Sequence, residues 1–222
     1  MASGWRARPF ANLNAIVHDG LDEELENLMR DYITAQIVEA KRVMSAMVTD
    51  DSLIAMVESA AQACVSCIKN GGKVFLAGNG GSAADAQHIA AEFVSRFAFD
   101  RPGLAAIALT TDTSILTAIG NDYGYEKLFA RQLQALGNKG DVFIAYSTSG
   151  QSPNILLALQ EARARGLTCI GLTGNRGGPM AAACDFYLAV PSSDTPKIQE
   201  GHLVLGHILC GLAENVIFRG TA

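Results

Sequence analysis

The fold of this chain is decided by the stretch Lys73-Val-Phe-Leu-Ala-Gly78-Asn-Gly-Gly-Ser82, which continues as an alanine-rich segment to Glu92. Residues 74–77 are apolar without alternation, as is typical of a strand buried on both faces. The glycines allow a sharp turn and a close approach of the backbone to a ligand. A helix over residues 82–92 would direct free N–H groups and a positive dipole end at that turn. The stretch therefore predicts a strand, an anion-binding turn and a helix.

The predicted helix carries a histidine and a glutamate, His88 and Glu92, four residues apart. This spacing places the imidazole and the carboxylate on one helical face, one turn apart. Both groups exchange protons in enzymes and both bind metals. One segment can thus supply an anion cradle and a reactive pair.

Four more apolar runs follow along the chain, each ending in a loop of small polar residues: 105–110, 142–146, 168–172 and 186–190. Helical patterns separate these runs. Strands that alternate with helices indicate a parallel sheet with helices on both faces. Ligands of such sheets bind at the carboxyl ends of the strands. We therefore expect an α/β fold with a five-stranded parallel sheet, and a ligand site at that edge.

The loop after the third run is rich in hydroxyl groups, contributed by Ser147, Thr148, Ser149 and Ser152. With the N–H groups of the next helix these hydroxyls suit a phosphate group. The alternative is an ordinary turn with a serine cap, but four hydroxyls exceed what a cap needs. The pattern Gly78-x-Gly80-x-x-Ala83 also fits a relaxed dinucleotide fingerprint, which lacks here the acidic residue expected about 20 positions later.

Composition restricts the possible functions. The 222 residues carry a net charge of −5, which gives no electrostatic reason to expect a nucleic acid as ligand. No apolar run approaches the length of about 20 residues that a membrane span needs, and no secretory signal is expected. The five cysteines suit reduced thiols in the cytosol. Cys64-x-x-Cys67 resembles a redox or zinc motif, but its place in a helical apolar run favours two small core residues.

The N-terminal part differs from the rest of the chain. We expect residues 1–28 to be a charged extension, either poorly ordered or, from the spacing of Leu21, Leu25 and Leu28, the start of a helix. Residues 29–222 are expected to form the folded domain. Two helices precede the first strand, the first marked by a stripe that includes Ile33 and Val48. One helix would cover the sheet, and the other is a candidate for contacts between subunits.

A long helix is predicted at the C-terminal end, from Thr195 to about Phe218, with proline in its first turn. It carries Gln199, His202 and His207. A lone histidine in an apolar helix is usually structural, and His202 keeps that interpretation.

Five motifs occurring in order resemble the phosphoheptose isomerases of the sugar isomerase (SIS) family, over about Met29 to Phe218. They are Gly78-Asn-Gly-Gly-Ser82, His88-x3-Glu92, Gly120-Asn-Asp-Tyr-Gly124, Ser147-Thr-Ser-Gly-x-Ser152 and Ile198-Gln-Glu-Gly-His-x4-His207. The resemblance implies a flavodoxin-like sandwich of the SIS type, a cytoplasmic homotetramer and one zinc ion per subunit. It also implies conversion of sedoheptulose 7-phosphate to D-glycero-D-manno-heptose 7-phosphate, the first step towards the ADP- or GDP-heptose used for lipopolysaccharide or capsule.

The resemblance also implies roles for individual residues. The catalytic pair would be Glu92 and His207, with Arg96 on the same helical face as Glu92. The implied zinc ligands are His88, Glu92, Gln199 and His207. The implied substrate-binding residues are Asn79, Gly80, Gly81, Glu92, Asn121, Asp122, Ser147, Thr148, Ser149, Ser152 and Gln199. Gln199 as a ligand comes from the resemblance alone, since amides are uncommon on zinc.

The implied reaction fits the chemistry of an aldose–ketose shift. A base, Glu92, removes a proton from the carbon beside the carbonyl, and an acid, His207, moves protons between the oxygens. Zinc polarises those oxygens. There are two alternatives, both non-catalytic SIS proteins: one that binds a replication initiator protein, and one that senses a sugar phosphate. A relative of the first kind lacks the glutamate and the second histidine, so their presence here favours the enzyme.

Overall fold

The structure is a computed structural model that describes residues 21–175 and 177–220, with side chains from Leu25 onward. Its helices and strands alternate along the chain. The helices are α1 (Leu21–Val48), α2 (Asp51–Lys69), α3 (Gly81–Val94), α4 (Thr113–Tyr123), α5 (Leu128–Leu136), α6 (Pro153–Ala164), α7 (Met180–Ala183) and α8 (Thr195–Phe218). The strands are β1 (Val74–Ala77), β2 (Ala106–Ala108), β3 (Val142–Tyr146), β4 (Thr168–Gly174) and β5 (Phe186–Val190), and a short 3₁₀ helix spans Tyr125–Lys127.

The five strands form one parallel sheet in the order β2-β1-β3-β4-β5. The predicted fold class is confirmed. β1 and β3 are central and completely buried, which explains their uninterrupted apolar sequences. β2 is shorter than predicted and β4 extends two residues further, to Gly174.

Two cores lie on the two faces of the sheet, because successive strand residues point to opposite sides. In β1, Leu76 packs in the core that α2, α3 and α8 cover. Its neighbour Phe75 packs in the core that α5 and α6 cover. The helices that carry the predicted His/Glu and glutamine/histidine motifs, α3 and α8, therefore lie on the same face.

The N-terminal helix differs from its prediction. The described part of the chain divides into two compact units between Lys41 and Arg42, and α1 begins at Leu21, within the predicted extension. The helical alternative for residues 21–28 is thus the correct one, and the predicted boundary at residue 28 falls inside a helix. Residues 1–20 lie outside the described part of the chain, so the rest of the extension stays a prediction.

The predicted stripe of α1 is largely exposed. Ile33 and Val48 are 55% and 71% exposed, whereas Val43 and Met47 belong to the core. The spacing of apolar residues gave the helix correctly, and its exposed stripe suits the helix that has no partner within the domain. The large exposed side chains keep α1 as the candidate for subunit contacts.

Two features bear on the predicted compartment. The cysteines are free, and burial raises the pKa of the Cys64 thiol to about 12 and that of Cys67 to about 11, so both behave as core residues. Contrary to the expectation from sequence, α2 and α8 are by length and composition apolar enough to cross a membrane. Both bury an apolar face in the core, as helices of soluble proteins also do, so this apolarity is weak evidence for a membrane.

Candidate active site

The site begins at the turn between β1 and α3. Gly80 precedes the helix with φ +57°, a conformation that L side chains rarely adopt. The amides of Ser82 and Ala83 bond back to the carbonyls of Asn79 and Gly80, which starts α3 tightly. The buried face of α3, with Ile89 and its neighbours, fixes the opposite face as the exposed one.

A glycine on α8 brings the second half of the site to the first. A methyl group on Gly206 would lie 2.7 Å from the side chain of Ile89, so only glycine allows the two helices to approach this closely. The following residue, His207, therefore reaches across to α3. Its Nε2 lies 2.9 Å from Nε2 of His88.

His88, Glu92 and His207 form one cluster, with ligand atoms that all lie within 4.8 Å of one another. Nε2 of His88 is 3.6 Å from Oε1 of Glu92. His88 is exposed, and the other two are partly buried. The structure thus brings His88 and Glu92, one helical turn apart, together with His207, which lies 119 positions after His88 in the sequence.

The donor set of this cluster fits zinc. Two imidazoles and a carboxylate are common ligands of catalytic zinc sites, which keep a further position open for water or substrate. Ligand atoms at about 2.0–2.2 Å from a tetrahedral ion lie about 3.3 Å apart. The separation of the two imidazole Nε2 atoms, 2.9 Å, and that of His88 Nε2 and Glu92 Oε1, 3.6 Å, lie on either side of that value.

Gln199 lies on α8 two turns before His207, and its side chain covers the start of α3. A methyl group on Gly81 would lie 2.5 Å from Nε2 of Gln199. The absence of a side chain at Gly81 therefore makes room for this amide. Gln199 is close to the glycine turn, as its predicted role with substrate requires; its role as a zinc ligand stays a prediction.

The serine loop lies between β3 and α6. The hydroxyl groups of Ser147 and Ser152 are 3.1 Å apart. Ser152 is at the cap position of α6, yet its side chain makes no hydrogen bond to the helix. Simple capping therefore does not explain this hydroxyl, which favours the phosphate interpretation. Thr148 braces the loop through its carbonyl, which accepts from the amide of Gly174 on β4.

A network that the sequence did not reveal holds the glycine turn. Asn79 and Asn154 exchange two side-chain hydrogen bonds, of 3.0 and 2.8 Å, and Tyr125 donates to Oδ1 of Asn79 at 3.1 Å. A cavity of 350 Å³ opens beside the turn, lined among others by Thr110 and Gly120. The one local feature of the sequence that pointed to Asn154 is its position two residues after Ser152, the last hydroxyl residue of the serine loop.

Three predicted residues lie apart from this cluster. Asn121 and Asp122 are exposed at the end of α4, where Nδ2 of the first donates to Oδ1 of the second at 2.8 Å. Within residues 21–175 and 177–220, no hydrogen bond or ion pair joins Asn121 or Asp122 to the glycine turn or to the serine loop. Arg96 was expected on the face of Glu92, and this was wrong, because α3 ends at Val94 and Arg96 lies beyond it.

Two further ionisable groups lie near the site. Burial raises the pKa of the Asp85 carboxyl, against an opposing effect of His88 one turn later. His202 is completely buried against Tyr146, and burial lowers its pKa to about 4. It is therefore neutral near pH 7, as a structural histidine is.

Known proteins resemble this chain over most of its length. Residues 34–174 match the SIS domain family. The chain is 72% identical to a phosphoheptose isomerase of Burkholderia pseudomallei over 87% of its own length and 98% of that protein. It is 58% identical to one from Aneurinibacillus thermoaerophilus over 86% and 96%. The solved phosphoheptose isomerase of Neisseria gonorrhoeae superposes with a TM-score of 0.80 at 42% identity, over 85% of this chain and 100% of that one.

Proposed function

We propose a mechanism and a metal for this chain, which belongs to the SIS family and, within it, to the phosphoheptose isomerases. The chain is an aldose–ketose isomerase of sedoheptulose 7-phosphate and acts in heptose biosynthesis. The aldose product is D-glycero-D-manno-heptose 7-phosphate. The observation that carries the mechanism is the meeting of His88, Glu92 and His207 within 4.8 Å.

Glu92 is the proposed base. Its carboxylate removes the proton from the carbon beside the substrate carbonyl, and the same group returns it to the neighbouring carbon. A carboxylate has two oxygens, so one can face a metal while the other accepts the proton.

His207 is the proposed acid, which moves protons between the two substrate oxygens. The 2.9 Å contact between His207 and His88 requires one ring to donate and the other to accept in the free site. This contact keeps the ring of His207 on the side of α3, beside Glu92, and with a metal on Nε2 the ring would carry its exchangeable proton on Nδ1. A base and an acid on facing helices can then reach opposite ends of the two-carbon unit that reacts.

The serine loop is the proposed site of the substrate phosphate. Ser147 and Ser152 turn their hydroxyls towards each other, and the first turn of α6 supplies N–H groups and a positive dipole end. Gln199 and the backbone at Gly80 and Gly81 would then bind the sugar hydroxyls between the loop and the catalytic pair.

The proposed metal is zinc, one ion per subunit, held by His88, Glu92 and His207 with Gln199 as a fourth candidate. When bound, zinc polarises the carbonyl and hydroxyl oxygens of the sugar. The support for zinc is the donor set and its spacing.

We also propose a cytoplasmic homotetramer whose product serves lipopolysaccharide or capsule synthesis. The support for assembly is the large apolar surface that α1 leaves exposed, for example at Tyr32, Ile33 and Ile37. The non-catalytic alternatives explain neither the presence of Glu92 nor its meeting with two histidines.

The test is direct. The purified protein is incubated with sedoheptulose 7-phosphate, and the aldose is measured with and without a chelator. We expect turnover, about one zinc per subunit, and loss of activity with chelator that added zinc restores. A metal-free preparation with full activity would remove zinc from the proposal.

The matched variants are on α3. His88→Asn is expected to lose most of its zinc and its turnover. The exposed neighbour Gln87 faces Thr110 instead, so Gln87→Ala should keep both. Equal zinc contents in the two variants would show that the metal binds elsewhere.

A further inference from the structure

Behind the catalytic cluster lies an ion pair that the mechanism does not use, between Arg101 and Glu214. Nε of the arginine is 2.9 Å from Oε2 of the glutamate, and their side chains are 2% and 0% exposed. Glu214 lies on α8 two turns after His207, on the same side of the helix. Both oxygens of Glu214 also accept backbone N–H groups, from Phe97 and Ala98 at 2.8 Å each.

The other end of the arginine closes α3. The last carbonyls of a helix have no partner within the helix. Nη2 of Arg101 donates to the carbonyl of Glu92 at 2.9 Å, and Nη1 donates to that of Phe93 at 2.7 Å. The guanidinium therefore binds the backbone of the proposed base itself. Through Glu214 it ties that backbone to α8.

A third contact leads to the proposed acid. The ring of Phe97, whose amide binds Glu214, lies 5.5 Å from the ring of His207, with a tilt of 40°. Gly211, between His207 and Glu214 on α8, leaves space for it: a methyl group there would lie 3.2 Å from the Phe97 ring. The same carboxylate thus fixes one neighbour of His207 and, through Arg101, the end of α3.

We propose that Arg101 and Glu214 are positioning residues for the isomerase: they lock the end of α3 to α8, so that Glu92 and His207 meet at one metal. This inference rests on the proposed function. A buried ion pair is by itself weak evidence for stability, because desolvation offsets much of the attraction between the charges. This ion pair connects the end of α3 to α8, the two helices that bear the proposed zinc ligands. That connection gives the pair a more specific role than stability.

Glu214→Gln is the main test, made in the full-length protein. The amide keeps the shape of the side chain but loses the charge and one of the two acceptor oxygens. We expect zinc to bind about tenfold more weakly, as when outer partners of metal ligands are changed. We also expect kcat to fall by a similar factor, with a small change in KM because the serine loop is untouched.

Asp141→Asn is the matched control. Asp141 is also a buried carboxylate that binds a cation and backbone amides: Nζ of Lys73 at 2.8 Å and the amides of Lys73 and Asn138 at 2.9 Å. It immediately precedes β3, at the edge of the sheet opposite the site. Asp141→Asn should lower the melting temperature but leave zinc affinity and kcat unchanged.

Arg101→Lys is the second variant. It keeps a positive charge beside Glu214 and loses the forked donors to the carbonyls of α3. If Glu214→Gln does not fold, Arg101→Lys is used in its place. We expect Arg101→Lys to weaken zinc binding as Glu214→Gln does. The proposal is overturned if the folded variants melt lower but keep wild-type zinc affinity and kcat, as the control does. A wild-type protein without zinc or turnover would instead refute the proposed function.

Discussion

A single methyl group added at Gly81 tests the role of Gln199 without replacing Gln199 itself. In Gly81→Ala the new Cβ would lie 2.5 Å from Nε2 and 3.0 Å from Cδ of Gln199. Ordinary contact begins at about 3.5 Å, so the amide must move by about 1 Å. Gln199 has a flexible side chain, and its end group can move without a shift of α8.

The fold itself should tolerate the change. Gly81 is the first residue of α3 and has no left-handed φ, so alanine fits its backbone. Alanine is favoured over glycine by about 0.8–1 kcal/mol within helices, and by less at an end. The backbone N–H of residue 81, which is proposed to bind substrate, is retained. We therefore expect an unchanged or slightly higher melting temperature.

Activity should fall, because a misplacement of about 1 Å can cost about a hundredfold in rate. We expect kcat/KM to drop by about 10- to 100-fold, measured with sedoheptulose 7-phosphate at saturating zinc. In a protein that already carries Gln199→Ala, adding Gly81→Ala should lower kcat/KM no further, because the amide that the new methyl group would displace is already absent. Wild-type activity of Gly81→Ala, or losses that simply multiply in the double variant, would refute the assignment of Gln199.

Three further predictions concern the base, an internal titration and the N-terminus. Glu92→Gln should keep the assembly and lose at least about a hundredfold in turnover; near-normal turnover, with zinc content measured in parallel, would exclude Glu92 as the base. His202 has its pKa lowered to about 4 in the folded protein, against about 6.5 unfolded, so the unfolded state binds more protons between these values. Stability is therefore full above pH 6.5 and falls as the pH drops. About 2 kcal/mol should be lost by pH 5, and denaturant titrations of His202→Leu should lack this part of the slope. A chain that begins at Met29 should fold, assemble and turn over like the full chain, because Leu25 and Leu28 belong to neither core and the residues proposed for subunit contacts, such as Tyr32 and Ile37, are kept. A large loss of melting temperature or of molecular mass in solution would show that the removed part of α1 is needed.

Local sequence determined most of the fold. The uninterrupted apolar run of 74–77 predicts burial on both faces, and the glycines after it allow the sharp turn into α3, so this local stretch predicts strand, turn and helix. The alternation of such units fixed a parallel sheet and the edge at which ligands bind. The spacing of His88 and Glu92 placed them on one face of α3, and the structure agrees.

Tertiary structure decided what lies far apart in the sequence. No local pattern places His207 beside His88, since this depends on Gly206 admitting Ile89 between two packed helices. The ion pair of Arg101 and Glu214 joins residues 113 positions apart, and each looks alone like an ordinary surface charge. Sequence thus determined the elements and their reactive faces, while helix packing decided which reactive faces meet.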